Sequence, residues 1–340
     1  MELTPIKVRG KKRALGEQTL VNPRPKRLKE DLSQKQLAKP RRPKASRIEK
    51  SMPLEVLERI FWLSENVNLP RASLRLGRML SGVSTLRETF LTAFGPTWEV
   101  WFGRLLHRDA VNELDESEFG GNPTFQTDLL ACSWTTIDMI LDCRDIWVRR
   151  NARNLSSRFH PLGDSSGVNS SVTGVGGAVE VNDNNKARDT FYSAYRTFRG
   201  VELLSTRLGV EYYMIYNVNT WIEVHRSTEI PDKLITGPWG EKDLQKLFWL
   251  VHSGAHLSPS QTWEVTLEGF RNAMSAPHAP NLTAMRLLHI LTAFQEWPTH
   301  VRTEEARGIN ATAAVFEKDG KMTLHTKYRF IGRLIETSVA

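Results

Sequence analysis

The chain has 340 residues, which is enough for one large domain or two domains of ordinary size. Its net charge of +8 is unevenly distributed, because residues 1–50 hold sixteen Lys and Arg against five Asp and Glu, whereas the remainder is slightly acidic. This distribution argues against a folded body built as a nucleic-acid-binding surface. Two cysteines, no run of ~18 apolar residues and no apolar N-terminal segment predict a reducing compartment, no membrane span and no secretory signal.

Residues 1–50 are polar, basic and dotted with proline, so they bury too little apolar surface to offset their ordering entropy, and we predict a disordered tail. Two basic clusters have the spacing of a bipartite nuclear localisation signal, which an import receptor binds in acidic pockets. Their residues are Lys11, Lys12, Arg13, Arg24, Lys26, Arg27 and Lys29, and a third basic cluster follows at 39–44. We expect a nuclear protein that also occurs in the cytoplasm. The alternative is a solvated basic tail that binds nucleic acid nonspecifically and only at low salt.

The first segment with a folded pattern, residues 51–82, opens with a helix. Ser51 is a suitable N-cap, and Pro53 lies in the first turn, where its missing N–H is not needed. On a helical wheel the apolar residues form two adjacent stripes that together are wider than the ~100° one packing surface requires. The stripes are Leu54, Leu57 and Phe61, and Val56, Ile60 and Leu63. We therefore expect this helix to pack on two bodies, its own domain and a partner.

Trp62 lies on the polar side of the same helix, among Glu55, Glu58 and Arg59. Two interpretations are open for it. Tryptophan often anchors interfaces, so its ring would be buried in a partner. Alternatively, the next helix of its own chain covers the ring. The whole pattern would also suit an ordinary amphipathic helix that opens a domain.

These residues also carry a family resemblance. The sequence Met52-Pro53-x-Glu55-Val56-Leu57-x-x-Ile60-Phe61 resembles the opening of an F-box, and Leu69 resembles the leucine that begins the next F-box helix. The Asn-Leu-Pro-Arg turn at 68–71 and the Leu-Gly-Arg-x-Leu-Ser helix at 76–81 are similar to the variant found in many filamentous-fungal proteins. Residues 223–270 in turn resemble the body of fungal F-box proteins.

The resemblance implies a three-helix F-box over residues 51–95. Such a domain binds the adaptor subunit of an SCF (Skp–cullin–F-box) ubiquitin ligase and, through it, the cullin and RING subunits. The rest of the chain would then hold a protein substrate, and the chain itself would carry no catalytic residue. The adaptor contacts implied are Met52, Pro53, Leu54, Glu55, Val56, Leu57, Ile60, Phe61 and Trp62.

Downstream, apolar periodicity predicts further helices on either side of a flexible insertion. We expect Pro96 to end the third helix, because proline lacks the N–H that a helix interior needs. Residues 151–189, rich in Ser, Gly and Asn, are predicted to be the insertion, between a helical part at 96–150 and the remainder of the body at 190–340. The predicted helices are 71–81, 83–94, 125–134, 136–150, 191–198, 244–253, 263–274 and 282–294.

Two segments indicate strands. Residues 209–226 are rich in Val, Ile, Tyr and Thr, which predicts two strands around 217–219. Residues 313–316 and 322–325 flank Asp319-Gly320, a typical hairpin turn. We expect these strands to form one small antiparallel sheet beside the helices. The predicted fold class is therefore mainly α, or α+β: an N-terminal three-helix F-box followed by a helical body with a small antiparallel sheet of hairpins.

The sequence contains few residues whose pattern suggests catalysis, metal binding or cofactor binding. His252 and His256 have the spacing of a helical zinc pair but lack a third ligand, and Cys132 and Cys143 fall in apolar helical surroundings that favour structural thiols. No phosphate-cradling Gly-Lys-Ser or Gly-Lys-Thr sequence is present, so we expect no cofactor and no metal. Two alternatives to the ligase subunit remain. One is a nuclear protein-interaction module without ligase activity, and the other is an enzyme with an unrecognised site.

Overall fold

The computed structural model of the chain describes residues 51–102, 105–107, 114–151, 186–208, 219–276 and 280–337. The predicted basic tail with its localisation signal, most of the predicted insertion and the first part of the predicted strand region lie outside these residues. The described residues belong to one compact unit, Ala45–Ala340. The protein is mainly helical, as predicted.

Twelve α-helices occupy most of the described part of the chain. Nine of them correspond to helices predicted from sequence, although helix α6 starts before the predicted end of the insertion, whereas α7, α11 and α12 were not predicted as helices. The helices are α1 (Leu54–Ser64), α2 (Leu74–Leu80), α3 (Val83–Trp101), α4 (Pro123–Ala131), α5 (Ile137–Asn151), α6 (Lys186–Leu208), α7 (Asp232–Thr236), α8 (Glu241–His252), α9 (Trp263–Met274), α10 (Leu282–Ile290), α11 (Thr299–Lys318) and α12 (Met322–Thr337).

The first two helices share a small core of their own. Ser73 caps helix α2, because its side chain accepts a hydrogen bond from the Leu76 backbone N–H at 3.1 Å. The N-terminal core consists of four buried side chains, and Met52, Trp62, Leu69 and Met79 pack around it. Its members are Leu57, Phe61, Leu76 and Leu80.

The prediction that the third helix ends at Pro96 is wrong, because α3 continues to Trp101. Pro96 and Thr92, the residue whose carbonyl would receive the missing N–H, are both exposed, so water can hydrate that carbonyl. The turns that follow are held by burial of Trp98 and Trp101. A proline on the solvent side of a well-packed helix is therefore tolerated here.

The main core is aromatic and lies between α3, α5, α8 and α10. Phe90 and Phe94 on α3 stack with their ring centroids 4.0 Å apart, and Trp98 contacts Trp147 of α5 edge-on at 5.9 Å. Helix α10 is buried on every side from Leu282 to His289. A helix enclosed all round belongs to the interior of a domain, so α10 marks the centre of the body.

The hairpin predicted at 313–325 is wrong. Residues 313–316 lie in α11 and residues 322–325 lie in α12, and the turn between them joins the two helices. Gly320 adopts a left-handed conformation with φ of 70°, and Gly320 N–H and Lys321 N–H bond to the carbonyls of Glu317 and Phe316. This is the Schellman pattern that ends helices. Asp-Gly serves as a helix stop here rather than as a strand turn.

The small sheet predicted from the two hairpins is also wrong. The described residues contain one short antiparallel pair, β1 (Leu105–His107) with β2 (Asn219–Trp221), in which Leu106 lies opposite Thr220. Strand β2 falls within the predicted strand region, but its partner precedes it by more than a hundred residues. The pairing depends on the fold and leaves no local signal in the sequence.

Candidate docking surface

The two apolar stripes of α1 have different surroundings. Leu57 and Phe61 are each only 2% exposed because they pack against α2 in the N-terminal core. Val56, Ile60 and Leu63 are 43%, 38% and 77% exposed. At 100° per residue these three side chains fall within a narrow arc, which we call the outward stripe.

The other residues predicted to contact a partner divide in the same way. Met52 is half-buried beside the N-terminal core, whereas Pro53, Leu54 and Glu55 are exposed. Trp62 is half-buried and its indole N–H donates a hydrogen bond to Thr89 Oγ1 on α3 at 3.1 Å. The geometry favours the interpretation in which Trp62 is covered by its own chain, although the helix that accepts its hydrogen bond is α3 and not the next helix, α2.

Two further apolar residues that the sequence pattern did not single out are exposed on the N-terminal helices. Leu74, the first residue of α2, is 83% exposed, and Val83, the first residue of α3, is 65% exposed. Neither takes part in the N-terminal core. On a helical wheel of α2, Leu74 lies away from Leu76 and Leu80, so the sequence alone could have identified Leu74 as an outward-facing residue.

The polar side chains of α1 fix it to α3. Thr85 Oγ1 donates to Glu58 Oε1, and the Trp62–Thr89 bond lies one turn further along. Thr85 and Thr89 are both buried. Because α3 continues from these threonines into the main core, α1 and the body are joined through one uninterrupted helix.

The interior of the body contains a buried ion pair. Arg144 Nη2 lies 2.7 Å from Glu223 Oε1, and both side chains are almost fully buried. Glu223 Oε2 also accepts from Trp249 Nε1 at 2.7 Å. Burial lowers the pKa of Arg144, and the carboxylate opposes that shift. These bonds stabilise the junction of α5 and α8 with the segment after β2.

A second buried network surrounds Gln126 of α4. Its side-chain N–H₂ donates to the Ala93 carbonyl and to Thr97 Oγ1 on α3, at 2.9 and 3.0 Å. Its side-chain oxygen accepts from the His225 backbone N–H and from Thr228 Oγ1, at 2.8 and 2.9 Å. The Gln126 side-chain amide thus uses both its N–H donors and its oxygen acceptor, and it links α3 to the loop that follows β2.

The cysteines and the histidine considered as candidates for catalysis or metal binding lie in surroundings typical of structural side chains. Burial raises the pKa of the Cys143 thiol to about 12 and also raises the pKa of Cys132, so both remain protonated at neutral pH. His252 is buried, and its Nδ1 lies 2.9 Å from the Phe248 carbonyl of the preceding turn. Within the described ranges, no three His, Cys, Asp or Glu side chains are grouped so as to hold a metal ion.

Comparison of the chain with protein-family models, curated proteins and solved structures finds no match. Among the described helices, none combines the length and the apolar character needed to cross a membrane.

Proposed function

We propose that this chain is an F-box substrate receptor and that the outward stripe docks on the adaptor subunit of an SCF ubiquitin ligase. The observation that carries this proposal is the exposure of Val56, Ile60 and Leu63 on a helix whose Leu57 and Phe61 are already buried in the N-terminal core. It adds to the resemblance of residues 52–61 to the F-box opening. The chain then contributes binding, and the conjugating enzyme recruited by the ligase supplies the chemistry.

Energetics support a partner on this surface. Full burial of one large aliphatic side chain contributes about 1.5–3 kcal/mol, so Val56, Ile60, Leu63 and Leu74 together offer substantial apolar area to a complementary groove. Leu57 and Phe61, which the resemblance places among the contacts, serve a different purpose in this proposal. They hold α1 in position, and the outward stripe makes the contact.

The link between α1 and the body supports the receptor's role. A receptor raises the effective concentration of its substrate at the ligase only if the linkage holds the two within reach of each other. Here α3 contacts α1 through Thr85 and Thr89 and contacts the main core through Phe94 and Trp98. A substrate held anywhere on the body would therefore keep a defined orientation relative to the adaptor.

Co-purification of a tagged full-length chain with a purified Skp adaptor tests the proposal. We expect the wild type to retain the adaptor and Ile60→Asp with Leu63→Asp to lose it while remaining folded, because both side chains already contact water. Val315→Asp with Met322→Asp is the matched control, since these residues are 55% and 57% exposed at the turn between α11 and α12. If the wild type retains no adaptor, the chain is better described as an interaction module without ligase function.

The basic clusters of the tail support a second part of the proposal, import into the nucleus. Lys11, Lys12 and Arg13 with Arg24, Lys26, Arg27 and Lys29 would bind an import receptor. We expect a fluorescent fusion with all seven replaced by alanine to move to the cytoplasm, and the same change in residues 39–44 to have a smaller effect. Unchanged nuclear fluorescence in the first variant would contradict this part.

A further inference from the structure

The outward side of α2 is positively charged. Its exposed residues Leu74, Arg75 and Arg78 fall within an arc of ~100° on the helix, opposite the buried Leu76 and Leu80. Arg59, also exposed, borders the outward stripe on α1. No carboxylate among the described residues forms an ion pair with Arg59, Arg75 or Arg78.

Carboxylates near this surface do not neutralise it. Glu58 is turned toward α3, where it accepts from Thr85, and Glu65 accepts from Asn122 Nδ2. Glu55 is exposed beside Arg59 and is the one carboxylate on the exposed arc of α1. We call the outward stripe, Leu74, Arg59, Arg75 and Arg78 together the docking face, in which exposed apolar residues are accompanied mainly by cations.

We infer that the docking face binds an adaptor surface in which an apolar groove is bordered by Asp or Glu side chains, opposite Arg75 and Arg78. This inference rests on the proposed function and adds the charge of the partner to it. Guanidinium groups pair with carboxylates in a planar, two-pronged geometry, so they can fix the register of the complex as well as attract it.

Charge also decides against two other occupants of the docking face. A symmetric contact between two copies of the chain would bring Arg59, Arg75 and Arg78 of each copy near the same residues of the other. Like charges juxtaposed in an interface oppose binding. The tail of residues 1–50 is also a poor occupant. Its sixteen Lys and Arg against five Asp and Glu give it a positive charge, which the arginines of the docking face repel.

The arginines and the apolar residues of the docking face should affect different rate constants of adaptor binding. Charges at the rim of an interface accelerate encounter and make the association rate fall with salt, whereas buried apolar contacts govern dissociation. Arg75 and Arg78 are then expected to control the association rate, and Val56, Ile60 and Leu63 the dissociation rate.

Stopped-flow or surface-plasmon measurement of the full chain with a purified Skp adaptor, over a series of salt concentrations, tests this inference. We expect Arg75→Glu with Arg78→Glu to lower the association rate constant by ~10-fold or more at low salt and to flatten its salt dependence. The dissociation rate constant should change by less than about twofold, because these charges lie at the rim of the interface. Arg329→Glu with Arg333→Glu is the matched control, because both residues are exposed on α12 and the net charge changes equally.

The outcomes separate the two proposals. If the adaptor binds and both charge reversals change association alike at every salt concentration, the partner is not acidic opposite α2, although the receptor function stands. If the wild type binds no adaptor, both proposals fall. Displacement of the adaptor by a short DNA duplex from the wild type but not from Arg75→Glu with Arg78→Glu would also overturn the inference, because the docking face would then be a nucleic-acid surface.

Discussion

The body and the N-terminal helices use apolar residues in opposite ways. In the body, α8 and α10 are enclosed by other helices, and even charged groups such as Arg144 and Glu223 are buried as a pair. In α1 and α2 only four side chains form a core, while Ile60, Leu63 and Leu74 face outward. The body is therefore expected to supply most of the stability, and the exposed residues of the N-terminal helices are those that the proposed adaptor would cover.

The largest effect is expected from breaking the buried ion pair of the body. Glu223→Ala removes the carboxylate that lies 2.7 Å from Arg144 Nη2 and that accepts from Trp249 Nε1. We expect the free energy of unfolding to fall by about 3–5 kcal/mol, measured by urea denaturation.

Glu305→Ala is the matched control for this prediction. Its partner Arg271 is 63% exposed, so the loss should be below about 1 kcal/mol. Equal losses in the two variants would show that the interior pair contributes no more than a surface pair.

Truncating one leucine in each region contrasts the two cores directly. Leu247→Ala and Leu80→Ala both remove a side chain that is 0% exposed. We expect Leu247→Ala to lower the global free energy of unfolding by about 2–5 kcal/mol. Leu80→Ala should instead speed amide hydrogen exchange in α1 and α2 and leave the protection of α10 nearly unchanged.

Loss of α10 protection in Leu80→Ala would contradict the separation of the two cores. It would mean that the N-terminal core and the main core unfold together.

Acid should weaken the body through His289 at the centre of the main core. Burial lowers the pKa of His289 to about 4, compared with ~6.5 in an unfolded chain. The folded state therefore favours the neutral ring, and its contribution to stability is complete above pH 6.5 and is lost as the pH falls toward 4. The shift corresponds to about 3 kcal/mol. We expect urea midpoints at pH 7 and pH 4.5 to differ less in His289→Leu than in the wild type.

A parallel decline in both proteins would contradict this assignment. The carboxylates that also titrate near pH 4.5 are common to the two proteins, so only the difference between the two declines reports on His289.

The smallest effect is expected at the joint between the two regions. Thr89→Val keeps the shape of the side chain but removes the acceptor for the Trp62 indole N–H. We expect a loss of about 1 kcal/mol in stability and a change in the fluorescence of Trp62, because its ring is no longer held against α3. An unchanged spectrum would mean that packing alone positions the ring.

Local patterns in the sequence predict much of the helical architecture. Periodicity locates α8, α9 and α10, and the helical wheel by itself separates Leu57 and Phe61 from Val56, Ile60 and Leu63. The pattern is clearest for helices that are half enclosed, such as α1 and α9, because their inner face recurs in every turn.

The errors arise where a local signal has two structural meanings. Asp319-Gly320 ends a helix as readily as it turns a hairpin, since both need a residue with positive φ, and alanine-rich α11 decides between them. Proline usually ends a helix, but Pro96 lies on the exposed side of a helix held by the tertiary neighbours of Trp98, which no local pattern specifies.

Partners far apart in the chain leave no local trace. Arg144 and Glu223 are separated by most of the central region, and Gln126 joins segments that the sequence does not link. The exposure of the outward stripe likewise depends on which stripe α2 covers, and either would have suited the pattern.

Hydroxyl-radical footprinting of the full chain with and without a purified Skp adaptor tests whether the adaptor docks on the outward stripe. Oxidation of Ile60, Leu63 and Leu74 should fall several-fold when the adaptor is saturating, whereas Val315 and Met322, which are similarly exposed, should be oxidised as before. If the outward stripe is oxidised equally in both samples, or if only Val315 and Met322 are protected, the adaptor does not dock on α1 and the account is wrong.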